Sequence, residues 1–454
     1  MSTHRVAFIS HAYVESAVRR KFVYLAQHTD LRLITPAWYP TAFGPHTLDF
    51  EFNAEATIQS YPIRFLHFRR TSTRWILRSG DLGFRQFQPD IIHVENEQSS
   101  WITCQALLYR RLFAPRAKVV LFCWDNLRPE EQTLKTGAFE YLSRINRQFV
   151  DFFICGNQAG KEILTERGIP AERIAVLPQY GVDPDLFYPY APERRQSCRR
   201  QFGVLPGQFA VGFVGRFVEE KGLLDLVEAI GVLRQVSQRA IVLVTAGQGE
   251  LEDTVRLRCA ERGVSLIVLP SCKYNEIVEV MNALDVLALP SQSRPFWKEQ
   301  FGRVLIEAMA CGTPVIGSDS GEIPNVIGNA GLVFHKRDPG ELLRCLSLCC
   351  ENEPFRLDLR RRGLERVLNS FTNQTIADQT LRIYDLVNRP GKSLRGSKVP
   401  TGNATGSNCT SAHALKHVLA KRFLLGLNSA NCTHPIDNPI STAPIMSPAI
   451  EGKH

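Results

Sequence analysis

Short apolar runs alternate with amphipathic stretches through the first part of the chain. The runs at 5–10, 31–35, 90–94, 118–123 and 152–155 are bounded by polar turns and are typical of buried strands. The stretches with helical periodicity lie at 15–28, 99–113 and 158–167. Because strands that alternate with helices form parallel sheets covered on both faces, this part predicts an α/β domain.

The same alternation resumes after a break near 181–208, which contains several prolines and a cluster of arginines. Beyond it, a helix is predicted over 222–234 and a last helix over 372–388. The predicted strands of this part are 209–215, 240–244, 266–270, 286–290 and 313–317. The chain therefore predicts two doubly wound α/β units joined by a linker.

Composition changes after Pro390, where Ser, Thr, Asn, Gly and Pro dominate. We divide the chain into an N-terminal domain, 1–185, a second domain, 186–371, a C-terminal helix, 372–389, and a tail, 390–454. The tail is predicted to be of low complexity and mostly disordered.

A content of 44% hydrophobic and 22% charged residues over 454 residues is typical of a soluble globular protein. No apolar run reaches the roughly 18 residues of a membrane span, and Met1–Ser10 lacks the apolar core of a signal peptide, so we expect a cytoplasmic location. The 12 scattered cysteines form no CxxC pair, so no zinc site is expected.

The net charge of +9 indicates an anionic partner. No recognisable nucleic-acid-binding module is present, so we expect no nucleic-acid partner. Residues 64–85 carry six arginines and one acid, Asp81, and Arg70, Arg74 and Arg78 share one face if this stretch is helical. Such a patch could make a peripheral contact with anionic lipid at the inner membrane face, or be a solvated face with arginine stems along apolar surface. Both interpretations stay open.

Candidate chemistry is densest in residues 299–307. Glu299 and Glu307 flank a Phe-Gly pair, and a short helix is expected to begin near Gly302. A helix N-terminus offers free N–H groups and a positive dipole end to a phosphate, while the carboxylates suit hydroxyl groups of ribose and of a sugar. The segment therefore predicts a nucleotide-sugar site. The alternative is a surface glutamate on the helix and another that complements its dipole.

A second candidate is the turn at 212–222. A predicted strand ends at Gly215, and Arg216 and Lys221 follow beside the start of a helix. Two fixed cations there could stabilise the charge of a diphosphate. The alternative is a surface turn with ordinary cations, and the presence of 299–307 in the same chain favours the first interpretation.

Together these motifs carry a family resemblance. The Gly-Arg-x4-Lys-Gly turn, the E-x7-E segment, the linker at 180–187, the segment 283–291 and the helix ending at Tyr384 resemble the retaining GT-B glycosyltransferases of family 4, also called glycosyl transferases group 1. The resemblance is close over 150–388 and loose over 1–150. It implies the GT-B fold, in which an acceptor-side and a nucleotide-sugar-binding Rossmann-like domain face each other across a cleft. It also implies that the helix at 372–389 packs back on the N-terminal domain.

The resemblance also implies residue roles. Arg216 and Lys221 would bind the diphosphate and, with Glu299 near the donor sugar ring, form the catalytic set. Glu307 would take the ribose hydroxyls. The loop whose backbone N–H groups face phosphate and sugar would be Phe301, Gly302, Arg303 and Val304. No metal or other cofactor is expected, because the cations and the helix N-terminus stabilise the leaving diphosphate. Asp183 and Asp185 resemble a metal-binding pair but lie in the family's linker, so we discount them.

The N-terminal half departs from the family. His11 follows the first strand where many members carry a Gly-Gly loop, and Trp124 holds the usual position of a histidine, whose polar role Asp125 could share. Glu95 and Glu97 lie at the carboxyl end of a predicted strand, where ligands bind in open α/β sheets. The candidates for acceptor contact are thus Asp125, Glu95, Glu97 and His11, against the alternative of exposed loop residues. Ser271 stands where a glycine is common before the base-contacting loop.

These observations favour a retaining, metal-independent, hexosyltransferase-like enzyme that moves a sugar from a nucleotide-diphosphate sugar to a hydroxyl of an unidentified glycan, lipid or small molecule. The alternatives are a GT-B sugar-nucleotide epimerase, a disaccharide synthase, and a non-catalytic protein that binds nucleotide sugars.

Overall fold

The computed structural model describes residues 3–41, 44–48, 57–65, 74–128, 134–270 and 272–389. The tail at 390–454, Ser271 and the middle of the basic stretch, 66–73, lie outside the described residues. The predictions made for them stay predictions.

The N-terminal half forms a parallel sheet of seven strands in the order β11-β10-β9-β8-β1-β2-β5, with two separate antiparallel hairpins, β3-β4 and β6-β7. The strands are β1 (His4–Ser10), β2 (Thr29–Pro36), β3 (Trp38–Thr41), β4 (Gly44–Thr47), β5 (Thr57–Tyr61), β6 (Ile63–Phe65), β7 (Trp75–Leu77), β8 (Ile91–Glu95), β9 (Lys118–Cys123), β10 (Phe152–Cys155) and β11 (Ile174–Val176). The helices are α1 (Arg20–Ala26), α2 (Phe84–Phe87), α3 (Trp101–Phe113), α4 (Leu134–Gln148) and α5 (Gln158–Glu166). The predicted parallel α/β architecture is therefore confirmed here.

The second half repeats the architecture with six parallel strands in the order β14-β13-β12-β15-β16-β17. The strands are β12 (Phe209–Val214), β13 (Ile241–Ala246), β14 (Ser265–Leu269), β15 (Val286–Leu289), β16 (Val315–Ser318) and β17 (Leu332–Phe334). The helices are α6 (Pro192–Gln201), α7 (Leu223–Val236), α8 (Glu252–Arg262), α9 (Ile277–Ala283), α10 (Arg303–Ala310), α11 (Ile323–Ile327), α12 (Pro339–Glu351), α13 (Glu353–Ser370) and α14 (Asn373–Val387). Both sheets are doubly wound.

Strand order places a crevice at one edge of each sheet. In the first sheet β1 lies between β2 and β8, so chain connections leave it in opposite directions; in the second, β12 lies between β13 and β15. Ligands in such sheets bind at the carboxyl ends of the strands where this reversal occurs. These ends are Ser10 and Glu95, which are register partners, in the first sheet and Val214 and Leu289 in the second.

Burial explains why the central strands read as continuous apolar runs. Every residue of β8, β10, β12 and β13 is buried, because helices cover both faces of each sheet. Two residues of β8, His93 and Glu95, are polar although they are buried, and their hydrogen-bond partners are described below.

The last helix crosses back to the first domain. α14 packs against α1, and Ile383, Tyr384 and Val387 join the apolar cluster that contains Phe8 of β1. The Tyr384 hydroxyl lies 2.7 Å from Nδ1 of His93. Packing between α14 and the N-terminal domain was the arrangement that the resemblance implied.

The chain passes between the two domains twice, near Val182 and near Thr372, and the backbones of these two segments are hydrogen-bonded to each other. The Val182 N–H donates to the Phe371 carbonyl at 2.8 Å, and the Asn373 N–H donates to the Val182 carbonyl at 3.0 Å. Gly181 permits this close approach, because a Cβ there would lie 2.5 Å from the Asn373 nitrogen.

The helical interpretation of the basic stretch is wrong at 64–65 and 74–78, the part of the arginine pattern that the structure describes. β6 and β7 form an antiparallel hairpin with Phe65 opposite Trp75, and Arg78 follows the end of β7. Trp75 and Leu77 are buried, which is the period-two pattern of a strand. The spacing of the arginines therefore did not report a helix face. Among the described helices, none combines the length and the apolar character needed to cross a bilayer.

Candidate functional site

A cavity of about 1610 Å³ opens between the two sheets, at the carboxyl ends of their central strands. We call the lining residues before 181 the N-terminal wall and those after 213 the C-terminal wall. The N-terminal wall includes His11, Glu15, Glu95, Glu97, Trp124 and Asp125. The C-terminal wall includes Arg216, Lys273, Gln300, Arg303, Val304 and Glu307. The cavity thus places four of the predicted donor residues, Arg216, Arg303, Val304 and Glu307, opposite the predicted acceptor residues. Lys221, Glu299, Phe301 and Gly302 are not among its described lining residues and lie behind this wall.

The turn after β12 presents its cations as expected. Arg216 follows the strand after Gly215, and its half-exposed side chain lies 3.4 Å from Glu220. Lys221 ends a short 3-10 turn, and Gly222 adopts a left-handed conformation, φ +68°, that starts α7. A Cβ on Gly222 would lie 2.0 Å from the Pro290 carbonyl oxygen, so only glycine lets this turn pack against the end of β15.

Lys221 and Glu299, 78 residues apart, meet in a direct ion pair. Lys221 Nζ donates to Glu299 Oε2 at 2.6 Å, and the Ser291 hydroxyl donates to the same oxygen at 2.8 Å. Glu299 is 7% exposed. A charge-assisted bond of this length fixes the carboxylate and the ammonium group relative to each other.

Helix α10 begins at Arg303, as expected, with Gly302 at its N-cap in a left-handed conformation, φ +81°. No side chain in the described part of the chain caps this helix, so the N–H groups of Arg303 and Val304 are available to a ligand, while the Leu305 N–H donates to the Gly302 carbonyl at 2.9 Å. The Phe301 side chain is buried and packs edge-on against Phe371. Phe301 can therefore contribute to the cavity only through its backbone.

Arg303 and Glu307 lie on one face of α10, one turn apart. Arg303 Nε contacts Glu307 Oε1 at 2.9 Å, and the guanidinium lies 5.2 Å from the centre of the Tyr274 ring. Burial raises the pKa of the Glu307 carboxyl, and the Arg303 charge opposes this change. Arg303 thus favours the charged form of a carboxylate that is otherwise costly to bury.

Glu95, at the end of β8, borders the cavity, but its side chain is held in a hydrogen-bond network inside the N-terminal domain. Its side chain is 1% exposed and pairs with Lys21 at 2.7 Å. Gln179 Nε2 donates to it at 2.7 Å, the Tyr13 hydroxyl at 3.1 Å and the Ser10 hydroxyl at 3.2 Å. With four donors already in place, Glu95 has little capacity left for a ligand.

Glu97 and Asp125 form a second acidic site on the N-terminal wall. Glu97 Oε1 accepts the Trp124 N–H at 2.7 Å. Burial, and then the neighbouring Asp125 charge, raise the pKa of the Glu97 carboxyl well above its usual value. The two carboxyl groups can therefore share one proton, with Asp125 at the exposed side.

His11 belongs to an aromatic cluster on the same wall. Its ring lies 4.3 Å from that of Tyr39 and 5.6 Å from that of Trp75. Burial lowers its pKa to about 4, so the imidazole is neutral at physiological pH. His11 can offer a hydrogen bond to a ligand but no positive charge.

The two walls touch beside Glu299. Asn126 Nδ2 donates to the Lys298 carbonyl at 3.3 Å, and Gln300 Nε2 donates to the Trp124 carbonyl at 3.3 Å. The loop after β9 therefore lies next to the loop that carries Glu299.

Several residues of the site were not singled out from the sequence. Lys21, Gln179 and Asn126 act through contacts across 74 or more residues, which no local pattern reveals. Lys273 could have been noticed as a cation beside the loop at Ser271. Asp183, discounted as a metal ligand, pairs with Arg20 at 3.0 Å and caps its own turn through the Asp185 N–H.

Family models match both halves of the chain. The model described as "Glycosyl transferases group 1" matches residues 195–366, and the model described as "Glycosyl transferase 4-like domain" matches residues 14–179. Together the two matches cover well over half of the chain; the first contains every strand of the second sheet, and the second contains every strand of the first sheet except β1.

Curated relatives point the same way. The chain is 30% identical over 240 residues to a D-inositol 3-phosphate glycosyltransferase of Corynebacterium jeikeium, covering 50% of this chain and 55% of that protein. It is 30% identical over 216 residues to an alpha-maltose-1-phosphate synthase of Mycobacterium tuberculosis, covering 45% and 54%. The chain spans about half the length of the curated relatives it matches.

Solved structures share the fold. Anabaena HepE in complex with UDP and glucose superposes with a TM-score of 0.62 at 20% identity, covering 84% of this chain and 100% of that one. A glycosyltransferase from Rickettsia africae superposes with a TM-score of 0.64 at 15% identity, covering 86% and 100%. With both family models matched and two Rossmann-like domains facing one cavity, the chain belongs to the group 1 glycosyltransferases of the GT-B fold.

Proposed function

We propose that the protein is a retaining glycosyltransferase that moves a sugar from a nucleotide-diphosphate sugar to a hydroxyl group of an acceptor. The observation that carries the proposal is the Lys221–Glu299 pair beside the start of α10, which no side chain of the described residues caps. Cations and helix N–H groups suit a diphosphate, and a carboxylate suits a sugar ring that becomes positive as it departs.

The proposed reaction breaks the bond between the anomeric carbon and the diphosphate oxygen. The acceptor oxygen forms its bond on the same face, through an oxocarbenium-like state, and its proton passes to the leaving phosphate. Arg216 and Lys221 stabilise the negative charge that develops on the diphosphate. Because these cations supply that stabilisation, the proposal includes no metal, and treatment with a chelator should leave transfer unchanged.

The donor is assigned to the C-terminal wall. The buried Glu307 carboxylate is proposed to accept the ribose hydroxyls, with Arg303 keeping it charged. The Anabaena HepE structure contains UDP and glucose, which makes UDP-glucose the first donor to test. A thermal-shift and hydrolysis panel of nucleotide sugars identifies the donor, because a ligand that binds only the folded state raises its melting temperature.

The decisive experiment replaces Glu299. Glu299→Gln keeps the shape and the acceptor oxygen for Ser291 but removes the charge, so we expect transfer to fall by about 100-fold or more. Glu299→Ala should abolish transfer with the fold intact by circular dichroism. Glu365→Gln, an exposed carboxylate on α13, is the control and should have wild-type turnover. Unchanged turnover in Glu299→Ala would refute the assignment.

Product analysis separates this proposal from its rivals. An epimerase converts the nucleotide sugar without an acceptor, and a synthase of a free disaccharide releases that disaccharide. A protein that only binds nucleotide sugars shows a thermal shift but no slow hydrolysis of the donor. We expect slow hydrolysis alone and transfer once an acceptor is added.

A further inference from the structure

The charges on the two walls of the cavity are opposite. The C-terminal wall includes Arg216, Lys273 and Arg303 against one carboxylate, Glu307. The N-terminal wall includes carboxylates but, among its described lining residues, neither lysine nor arginine. A ligand in the cavity therefore meets positive charge on one side and negative charge on the other.

Two of the acidic residues on the N-terminal wall face the cavity without a cation of their own in contact. Glu95 is neutralised from behind by Lys21, and Glu15 lies near Arg303. Glu97 differs, because its Oε2 is shielded from solvent and accepts no hydrogen bond within the described residues. The positive charge of Arg167 lowers the pKa of the Asp125 carboxyl, but the Arg167 side chain is itself paired with Glu140 at 3.0 Å.

The Trp124 ring lies beside these carboxyl groups and is fixed from three directions. Its Nε1–H donates to Gln179 Oε1 at 2.9 Å, and its ring packs edge-on against Phe122 at 5.2 Å. Gly156 lies against the ring, where a Cβ would come within 2.3 Å of it. The half-buried ring lines the cavity and has little freedom to move. A rigid aromatic face loses little entropy when a ligand stacks on it.

An aromatic face with carboxylates at its edge fits a sugar ring. The C–H face of a pyranose is apolar and packs on an aromatic ring, while its hydroxyl groups donate to carboxylate oxygens. The Glu97–Asp125 pair, which can hold one shared proton, still offers carboxyl oxygens to such a hydroxyl, and Glu97 Oε2 is shielded from solvent. An anionic substituent at the same place would meet like charge in a partly desolvated site.

We propose that Trp124, Glu97 and Asp125 form an acceptor subsite for a sugar ring without negative charge, and that they discriminate against acceptors with a phosphate or carboxylate on that ring. This inference rests on the proposed function. It names the chemical class of the acceptor, which follows from the N-terminal wall alone. The donor site on the C-terminal wall does not depend on it.

The first test is a panel of matched acceptors with the donor identified by hydrolysis. Glucose, galactose, mannose and myo-inositol are each compared with a phosphorylated form, and the three hexoses also with their uronic acids. We expect at least one neutral compound to raise release of the nucleoside diphosphate at least ~10-fold above hydrolysis, with a kcat/KM about 100-fold above that of its anionic forms. A phosphorylated or carboxylated compound that is the better acceptor overturns the inference, as does a panel in which no neutral compound raises this release. Failure of the proposed function is different: no nucleotide sugar would then be hydrolysed.

The second test changes the charges. In the double variant Glu97→Gln, Asp125→Asn, we expect the ratio of kcat/KM between neutral and anionic acceptors to fall at least ~10-fold. Glu166→Gln, an exposed glutamate on α5, is the control and should keep the wild-type ratio. Asp125→Asn alone, at an exposed position, provides the same measurement if the double variant does not fold. A ratio that stays at the wild-type value in a folded variant overturns the role of the pair.

The third test removes the aromatic face. Trp124→Leu should raise the KM for the neutral acceptor at least ~10-fold while the KM for the donor changes little, because the ring contacts the acceptor side. Trp124→Phe should recover part of the loss. Equal changes in both KM values would indicate a structural role only and would overturn the stacking assignment.

Discussion

Arg216 and Glu95 both lie at the carboxyl ends of central strands and both border the cavity, yet only the Arg216 side chain is substantially exposed. The Arg216 side chain is 44% exposed and contacts a single partner, Glu220, at 3.4 Å. The Glu95 side chain is 1% exposed and accepts hydrogen bonds from four donors. The C-terminal wall thus presents charge made by local turns, and the N-terminal wall is built on a charge buried behind it. Position at a strand end alone therefore does not predict whether a charged side chain will be exposed, like Arg216, or buried in a network, like Glu95.

The largest test of this contrast removes the buried cation. Lys21→Met leaves Glu95 charged and unpaired inside the domain, so we expect the free energy of unfolding to fall by about 3–5 kcal/mol. Urea denaturation at pH 7 measures it. Arg256→Met, at an exposed pair on α8, is the control and should cost no more than about 0.5 kcal/mol. Similar losses in the two variants would show that Glu95 is not supported by this pair.

The next test acts on the open wall and should give the opposite result. Arg216→Ala removes a half-exposed side chain, so the free energy of unfolding should change by less than about 0.5 kcal/mol. Transfer should fall by about 100- to 1000-fold, because one stabilising cation is lost at the leaving group. Initial rates and a melting curve on the same sample give both values. A large loss of stability would contradict the view that this wall is assembled locally.

A smaller effect is expected where the N-terminal wall is packed. Gly156→Ala places a methyl group against the Trp124 ring, which must shift, and overpacking of this kind costs about 1–3 kcal/mol. The KM for the acceptor should rise more than that for the donor. Gly137→Ala, on an open face of α4, is the matched control and should stabilise the helix by up to about 1 kcal/mol. If both variants behave alike, the ring is not held by Gly156.

The smallest effect concerns pH. Folding lowers the pKa of His11 from 6.5 to about 4, so the unfolded chain binds a proton that the folded chain does not between these values. Stability that is present above pH 6.5 is therefore lost as the pH falls toward 4, by about 1–2 kcal/mol at pH 5. His11→Gln should flatten this part of the pH curve relative to wild type, measured by urea denaturation. If the variant keeps the wild-type slope, groups other than His11 are responsible for the pH dependence of the free energy of unfolding.

Local patterns predicted the backbone features of the proposed donor half because these features are local, while the roles of its residues stay predictions. Gly302, the start of α10 and the turn at Gly215–Arg216 each lie within a short segment whose backbone conformation the residue types restrict. The meeting of Lys221 with Glu299 could be anticipated because both follow central strands of one predicted sheet.

The N-terminal wall was harder to predict for a physical reason. Glu95 looked like a ligand-facing carboxylate, and only its contacts with Lys21 and Gln179, 74 and 84 residues away, place it inside a network. The basic stretch was misjudged because arginine spacing was weighed above the alternation of Trp75 and Leu77, which formed a strand. In both cases burial, which a sequence does not display, decided the outcome.

The return of α14 to the first domain has a consequence for synthesis on the ribosome. β1 emerges early, but the helix that supplies Tyr384 to the cluster around Phe8 and to His93 emerges only after the whole second domain. At roughly 5–20 residues per second, this leaves the surface that α14 will cover open for ~10–40 s. The N-terminal domain is therefore completed last although it is made first, and during that interval its exposed apolar surface is where a nascent chain of this protein is most open to a chaperone.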